Sequence, residues 1–298
     1  MSILLLGKNG QVGTALQKTL INLDNVTAIG RKEVDLEDLL SLQRFLIFQK
    51  PTIIINAAAY TAVDKAESNQ NIAYLLNHKV VALLANYAYL HNSLLVHYST
   101  DYVFDGLKST PYLETDSTNP QNIYGASKLA GEQAIIHSRC NYLIFRTSWV
   151  VSAIGKNFVK SILKLARERN SINVVSDQFG TPTTADFIAN ITTMMIRKCQ
   201  MQTLQNGLYH LTPSGVTNWH AFSRYIIDKA LENDIRLKLS SKQIHAISSA
   251  EYPLPAQRPK NSSLNNQMLS RLLEVPFYDW TYYVDLLMIQ FGKHPNLF

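Results

Sequence analysis

The chain has 298 residues, 46% of them hydrophobic, enough to bury a full core and suited to one large domain or two smaller ones. Its net charge of +6 is not concentrated in a Lys/Arg run or a basic-aromatic stripe, which argues against nucleic-acid binding and leaves mild steering of a small anion. Two cysteines, Cys140 and Cys199, make no disulfide framework and suit a reducing cytoplasm, while the apolar start is too brief for a signal peptide and no apolar run reaches membrane-spanning length.

Ser2 to Leu6 reads as a strand that runs straight into Gly7-Lys8-Asn9-Gly10-Gln11-Val12-Gly13. Val12, Ala15, Leu16, Thr19 and Leu20 then follow helical spacing. A strand that turns on glycine into a helix offers backbone N–H groups and the positive helix end to a phosphate, so a dinucleotide cradle is expected at Gly7, Gly10, Gln11, Val12 and Gly13. Asn25 to Ile29 reads as a second strand and ends in Gly30-Arg31-Lys32. The fork of Arg31 suits a 2′-phosphate and Gly30 brings no carboxylate to repel one, so NADPH is expected to serve at least as well as NADH. Thr52 to Ala59 and Ser93 to Ser99 read as further strands. Between them Asn71 to Leu90 carries Ala73, Leu76, Val80, Leu83, Leu84 and Tyr87 on one helical face. Asn122 to Ser138 predicts a helix and Asn141 to Val150 another buried strand. This alternation implies an α/β chain with a Rossmann-type, doubly wound parallel sheet. Beyond Val150, helices over 157–169 and 184–199 are separated by Pro-containing loops at 178–183 and 252–259. Residues 1–150 are expected to form a dinucleotide-binding domain and 151–298 mostly a smaller substrate-binding lobe, with a return of the chain to the first domain around 184–200 left open.

Tyr124-Gly125-Ala126-Ser127-Lys128 opens the helix after a loop. Positions i and i+4 share a helical face, so the Lys128 ammonium is expected beside the Tyr124 phenol, favouring its ionised form and making it a usable acid or base. Thr100 lies at the strand end His97-Tyr98-Ser99-Thr100-Asp101-Tyr102, where a hydroxyl can hydrogen-bond a reacting carbonyl. Tyr225 and Lys229 repeat the spacing on a late helix without that context and read as ordinary helix residues. None of the eight histidines falls into a metal-binding spacing.

Taken together, these segments resemble the extended short-chain dehydrogenase/reductase family and, within it, the dTDP-4-dehydrorhamnose reductases, over nearly the whole length. The likeness is carried by the glycine turn, by Asn56-Ala57-Ala58-Ala59-Tyr60-Thr61-Ala62-Val63-Asp64-Lys65-Ala66-Glu67, by Ser99 to Phe104 and by Tyr124 to Lys128. Arg146 to Val150, Asp177 to Thr183 and Arg258-Pro259 complete it. The resemblance implies reduction of a C4 ketone on a dTDP-linked 4-keto-6-deoxy sugar by NADPH or NADH. Tyr124 would be the proton donor, Lys128 its partner and Thr100 the third catalytic group. Asp101, Trp149 and Arg258 would meet the sugar nucleotide, Ala59, Tyr60 and Thr61 would lie along the cofactor, and Asp35 and Leu36 would contact adenine. The partner implied is a nucleotide sugar, with no nucleic acid or membrane, for a monomer or homodimer.

Nucleotide-sugar 4,6-dehydratases look similar but carry Thr-Asp-Glu at the strand end, with the glutamate as base for the C5 proton. Here Tyr102 stands at the third position, which favours simple reduction. Some relatives carry a metal-binding glutamate on the first helix; Ala15 at that position puts a metal in doubt. An epimerase or another nucleotide-sugar reductase, and an NADP-binding regulatory subunit without catalysis, are the alternatives.

Overall fold

The computed structural model describes residues 2–23, 25–200 and 207–294; the expected domain spans also include Met1, Asp24, 201–206 and 295–298, which lie outside the described residues. Short aliphatic runs form its centre. β1 (Ile3–Leu6), β3 (Ile53–Asn56) and β4 (Leu94–Thr100) are buried almost throughout, which explains why they read as continuous apolar stretches and not as alternation. With β2 (Val26–Ile29), β5 (Asn141–Thr147) and β10 (Gly207–His210) they make one six-stranded parallel sheet in the order β10-β5-β4-β3-β1-β2.

Both faces of the sheet are covered. On one, α1 (Gln11–Thr19), α8 (Ala185–Gln200) and α10 (Gln267–Leu273) bring Leu16, Ile188, Met195 and Leu269 against Leu5, Ile55, Val96 and Phe145. On the other, α2 (Leu39–Gln49), α5 (Val80–Leu90) and α6 (Ile123–Ser138) set Leu42, Leu46, Leu84 and Ile135 on Leu4, Leu6, Ile54 and Ile144. Odd and even strand positions thus serve opposite layers, as the pleat requires. α3 (Val63–Ser68) and α4 (Gln70–Tyr74) lead into α5.

A separate core holds the later part of the chain. α7 (Phe158–Glu168), α9 (Trp219–Glu232) and α11 (Trp280–Lys293) enclose Ile162, Leu163, Phe222, Ile226, Leu287 and Phe291. Beside them β7 (Ile172–Val175) pairs with β12 (Ile244–Ile247). Two short ladders join β6 (Val150–Val151) to β9 (Thr183–Thr184) and β8 (Phe179–Gly180) to β11 (Thr217–Asn218).

Four local differences from the expected elements matter. The run from Thr52 leaves the sheet at Asn56, so residues 57–61 become a loop over the strand ends. The run from Asn141 ends at Thr147, because Trp149 adopts φ +46° and redirects the chain into β6. The helix expected over 71–90 contains a π turn, Leu75–Lys79, that buries Asn77. α2 was not among the expected elements, although Asp38 caps it by accepting from the N–H groups of Leu40 and Ser41.

Candidate active site

β1 and β3 are neighbours, but the chain passes from β1 outward to β2 and from β3 the other way to β4, so a crevice opens between their carboxyl ends. A cavity of about 610 Å³ occupies it, lined by Gly7, Gly10, Gln11 and Val12 on one side and Thr100, Asp101, Tyr124 and Lys128 on the other. Gly7 has φ +83°, and a Cβ there would fall 2.8 Å from the backbone of Ala57. Gly13 does not line the cavity; it lies behind, where a Cβ would come within 2.1 Å of the Gly7 carbonyl oxygen. Both glycines therefore let α1 approach the sheet closely. Gly10 caps α1 without a side chain, so first-turn N–H groups remain available to phosphate oxygens. The Gln11 carboxamide oxygen accepts from Ser152 and Asn157, tying the glycine turn to the segment before α7.

Arg31, Asp35 and Leu36 line the far end of the cavity. Arg31 is 74% exposed and pairs with Glu37 at 2.9 Å. The expectation of a turn without a carboxylate is corrected: Glu33 accepts from the Gly30 N–H at 2.8 Å and from Lys8 at 2.8 Å, and these two bonds hold its carboxyl below its ordinary range. A helical turn three residues on supplies what the glycine lacks, with Lys8 as its counter-charge.

Ala59 and Thr61 line the cavity, whereas Tyr60 does not. Asn77 holds Tyr60 by its main chain, accepting its N–H at 2.9 Å and donating to its carbonyl at 3.1 Å, and also donates to Ser127 at 3.0 Å. Asn77 thus fastens the loop after β3 to α6. Its only trace in the sequence is an amide among apolar helix positions.

The Thr100 hydroxyl ends β4, donating to Asp101 at 2.9 Å and accepting from the Tyr102 N–H at 3.2 Å. Burial pushes the Asp101 carboxyl up to about 6, against hydroxyl hydrogen bonds that pull it down. Asn122 caps α6 by accepting from the Gly125 N–H at 2.8 Å. A Cβ on Gly125 would lie 2.2 Å from the Tyr102 carbonyl oxygen, so glycine is what allows Tyr124 to be pressed against the strand end. Burial raises the Tyr124 phenol to about 12, with the Thr100 hydroxyl working in the opposite direction.

Lys128 corrects an expectation. Its ammonium is not bonded to Tyr124; Nζ donates to the Tyr98 carbonyl at 2.5 Å and lies 3.1 Å from His97 Nε2. It is 2% exposed, and burial brings the amine down to about 8 with Glu132 opposing. One turn further along α6, Glu132 takes a two-pronged bond from Arg146 at 2.9 and 2.7 Å, wholly inside the protein. Tyr124 and Lys128 share the cavity wall, but the phenol's protonation is set by burial more than by the lysine.

Toward the mouth, the Trp149 indole stacks on Trp219 at 3.4 Å between centroids, and a Cβ on Gly180 would meet it at 2.5 Å. Trp219, Lys156 and Asn157 were not expected here; Trp219 backs Trp149, while Lys156 and Asn157 line the cavity. Arg258 stands back from the cavity wall. Its guanidinium grips both Asp64 carboxylate oxygens at 2.8 Å and pins the 252–259 loop to α3. Tyr225 donates to Asp285 and Lys229 pairs with Glu232, both away from the cavity lining. Ser99 and Thr147 have buried hydroxyls at the cavity wall with no partner among the described residues, as a hydroxyl-rich ligand would require. Ala15 is part of the sheet core, and among the described residues no three His, Cys, Asp or Glu side chains are grouped to hold a metal.

Comparison with known proteins agrees with this geometry. The family model described as the RmlD substrate binding domain matches residues 1–292. A dTDP-4-dehydrorhamnose reductase of Burkholderia thailandensis is 43% identical over 290 residues, covering 96% of this chain and 97% of that protein. The crystal structure of a dTDP-4-dehydrorhamnose reductase from Clostridium acetobutylicum superposes with a TM-score of 0.88 at 32% identity, covering 97% of this chain and 98% of that one. The Bacillus anthracis reductase in complex with NADP gives 0.87 at 34% identity, covering 97% of this chain and all of that one. The chain belongs to the dTDP-4-dehydrorhamnose reductase family of the extended short-chain dehydrogenases/reductases.

Proposed function

We propose that the protein reduces the C4 ketone of dTDP-4-dehydro-L-rhamnose to dTDP-L-rhamnose with NADPH or NADH. The observation that carries this reading is the convergence of Thr100, Tyr124 and Lys128 on the cavity that the glycine turn also lines. A nicotinamide cofactor would supply the hydride. Its pyrophosphate would be held by the turn from Gly7 to Val12 and the start of α1, and its adenosine end by Asp35 and Leu36, with Arg31 near a 2′-phosphate.

Tyr124 keeps its proton at neutral pH and offers it to the oxygen that develops charge at C4, while the Thr100 hydroxyl orients that oxygen. Asp101 and the Trp149–Trp219 stack form the sugar side. We assign residues 1–150 to cofactor binding, with α8 and β10 adding to that domain, and most of the remainder to a lobe that closes on the sugar nucleotide. The assembly proposed is a monomer or a homodimer, with Thr100, Tyr124 and Lys128 on one cavity in each chain. A cytoplasmic location fits the nucleotide-linked substrate and the thiols of Cys140 and Cys199.

The test is oxidation of NADPH on adding dTDP-4-dehydro-L-rhamnose, with dTDP-L-rhamnose identified as product. A pure binding role predicts no such turnover. Two further outcomes are expected. Incubation with dTDP-glucose and oxidised cofactor should yield no 4-keto-6-deoxy sugar by mass spectrometry, since Tyr102, held in its neutral form by burial, cannot replace a carboxylate base. Arg31→Ala should raise the Michaelis constant for NADPH several-fold, about what one exposed charged contact contributes, and leave that for NADH nearly unchanged. Equal effects on both cofactors would reduce Arg31 to a partner of Glu37.

A further inference from the structure

We propose that Asn56 and His97 are a positioning pair that favours the uncharged amine of Lys128, by fixing the direction of a hydrogen-bond chain that ends on its Nζ. Asn56 and His97 are register partners on β3 and β4 and are 1% and 0% exposed. The Ala58 N–H donates to Asn56 Oδ1 at 3.2 Å, which turns the amide nitrogen toward His97 Nδ1, also at 3.2 Å. An amide nitrogen only donates, so Nδ1 accepts and the ring proton sits on Nε2. Nε2 faces Lys128 Nζ at 3.1 Å and must donate to it. An ammonium has no lone pair to accept with; an amine has one. The Nζ then completes the chain by donating to the Tyr98 carbonyl.

Charging Lys128 reverses every polarity upstream. Nε2 would have to accept and Nδ1 carry the proton, facing the Asn56 NH₂ group unless that amide turns over and abandons the Ala58 N–H. The other ionisable groups around Lys128 do not remove this conflict. Tyr124 on the same helix is neutral, Glu132 is committed to Arg146 of β5, and Asp101 at the end of β4 is shifted toward its protonated form by burial. Burial moves both the Lys128 amine and the His97 ring toward their uncharged states, in keeping with the chain. On the reductase reading, on which the purpose of the device rests, an uncharged Lys128 puts no cation beside the Tyr124 phenol, so the phenol enters the reaction with its proton in place.

The test reads Lys128 itself, by carbon NMR titration of protein labelled at lysine Cε, with the signal assigned by its loss in Lys128→Arg. Asn56→Asp still accepts from the Ala58 N–H but presents an acceptor to Nδ1, which turns the chain round. The Lys128 midpoint should rise by about one pH unit or more. In a chain that also carries His97→Leu, the same Asn56→Asp change should move it less than half as far. An unmoved midpoint overturns the proposal, and so does a shift of full size without His97, which would be the new charge acting alone. Should Asn56→Asp not fold, His97→Leu by itself decides: removing the donor should raise the midpoint, and an unchanged or lower one refutes the chain. Because no turnover enters the titration, its failure would leave the reductase reading intact, and absence of reductase activity would leave the titration valid.

Discussion

Tyr124→Phe should lower turnover by about 10² or more, the usual scale for losing a positioned general acid. The phenol is half-buried beside Thr100, and its pKa of about 12 means that it enters the reaction with its proton in place. Neither Tyr102 nor Lys128 can substitute at neutral pH. Tyr102 lies edge-on to Tyr124 with centroids 5.7 Å apart, and burial raises its own phenol further. Lys128 is occupied by His97 and the Tyr98 carbonyl. Phenylalanine keeps the ring and its edge contact, so the helix start and the glycine turn should be undisturbed. Cofactor affinity, measured by fluorescence titration, should therefore change little while kcat falls. Near-normal kcat in a folded variant would remove Tyr124 from its role.

Glu132→Ala should destabilise the fold by about 3–5 kcal/mol, the cost of leaving one half of a buried ion pair behind. Arg146 sits inside the sheet layer with its guanidinium 5.0 Å from the Phe104 ring, and Nη1 already has no partner among the described residues. Removing Glu132 takes away both remaining bonds and strands the charge in a place water does not reach. The two-residue replacement by apolar side chains should recover much of the loss, since then no charge is left buried. Urea unfolding gives the comparison directly: the midpoint should fall with little change in slope. A loss under about 1 kcal/mol would mean that the Arg146 charge finds relief elsewhere.

Most of the sheet could be read from the sequence because parallel strands buried on both faces leave an unmistakable aliphatic run, as in Ile53-Ile54-Ile55. The cofactor turn was equally legible, since glycines at Gly7 and Gly13 are demanded by backbone contacts of 2.8 and 2.1 Å that any Cβ would make. What escaped were facts of direction and partnership. The i+4 spacing puts Lys128 on the Tyr124 side of α6 but says nothing of where four methylenes carry the ammonium, and the buried His97 and Tyr98 carbonyl capture it. The pairing of Arg258 with Asp64 joins residues distant in sequence, which no local pattern connects without the fold. Trp219 was invisible for the same reason. β10 has four residues and no pattern of its own; only the exposed edge of β5 makes it a strand.

The π turn at Leu75–Lys79 works as a phase shift within one helical rod. An extra residue in a helix of 3.6 residues per turn rotates everything after it by about 100° relative to everything before. Upstream of the shift, Ala73 is buried near the start of the rod; downstream, Val81, Leu84 and Ala88 are aimed at the sheet; and Asn77, within it, reaches the Tyr60 main chain. The widened backbone at 75–79 is where Asn77 reaches past the apolar packing to hold the Tyr60 main chain, so that one rod both covers the sheet and sets the height of the loop over the cavity.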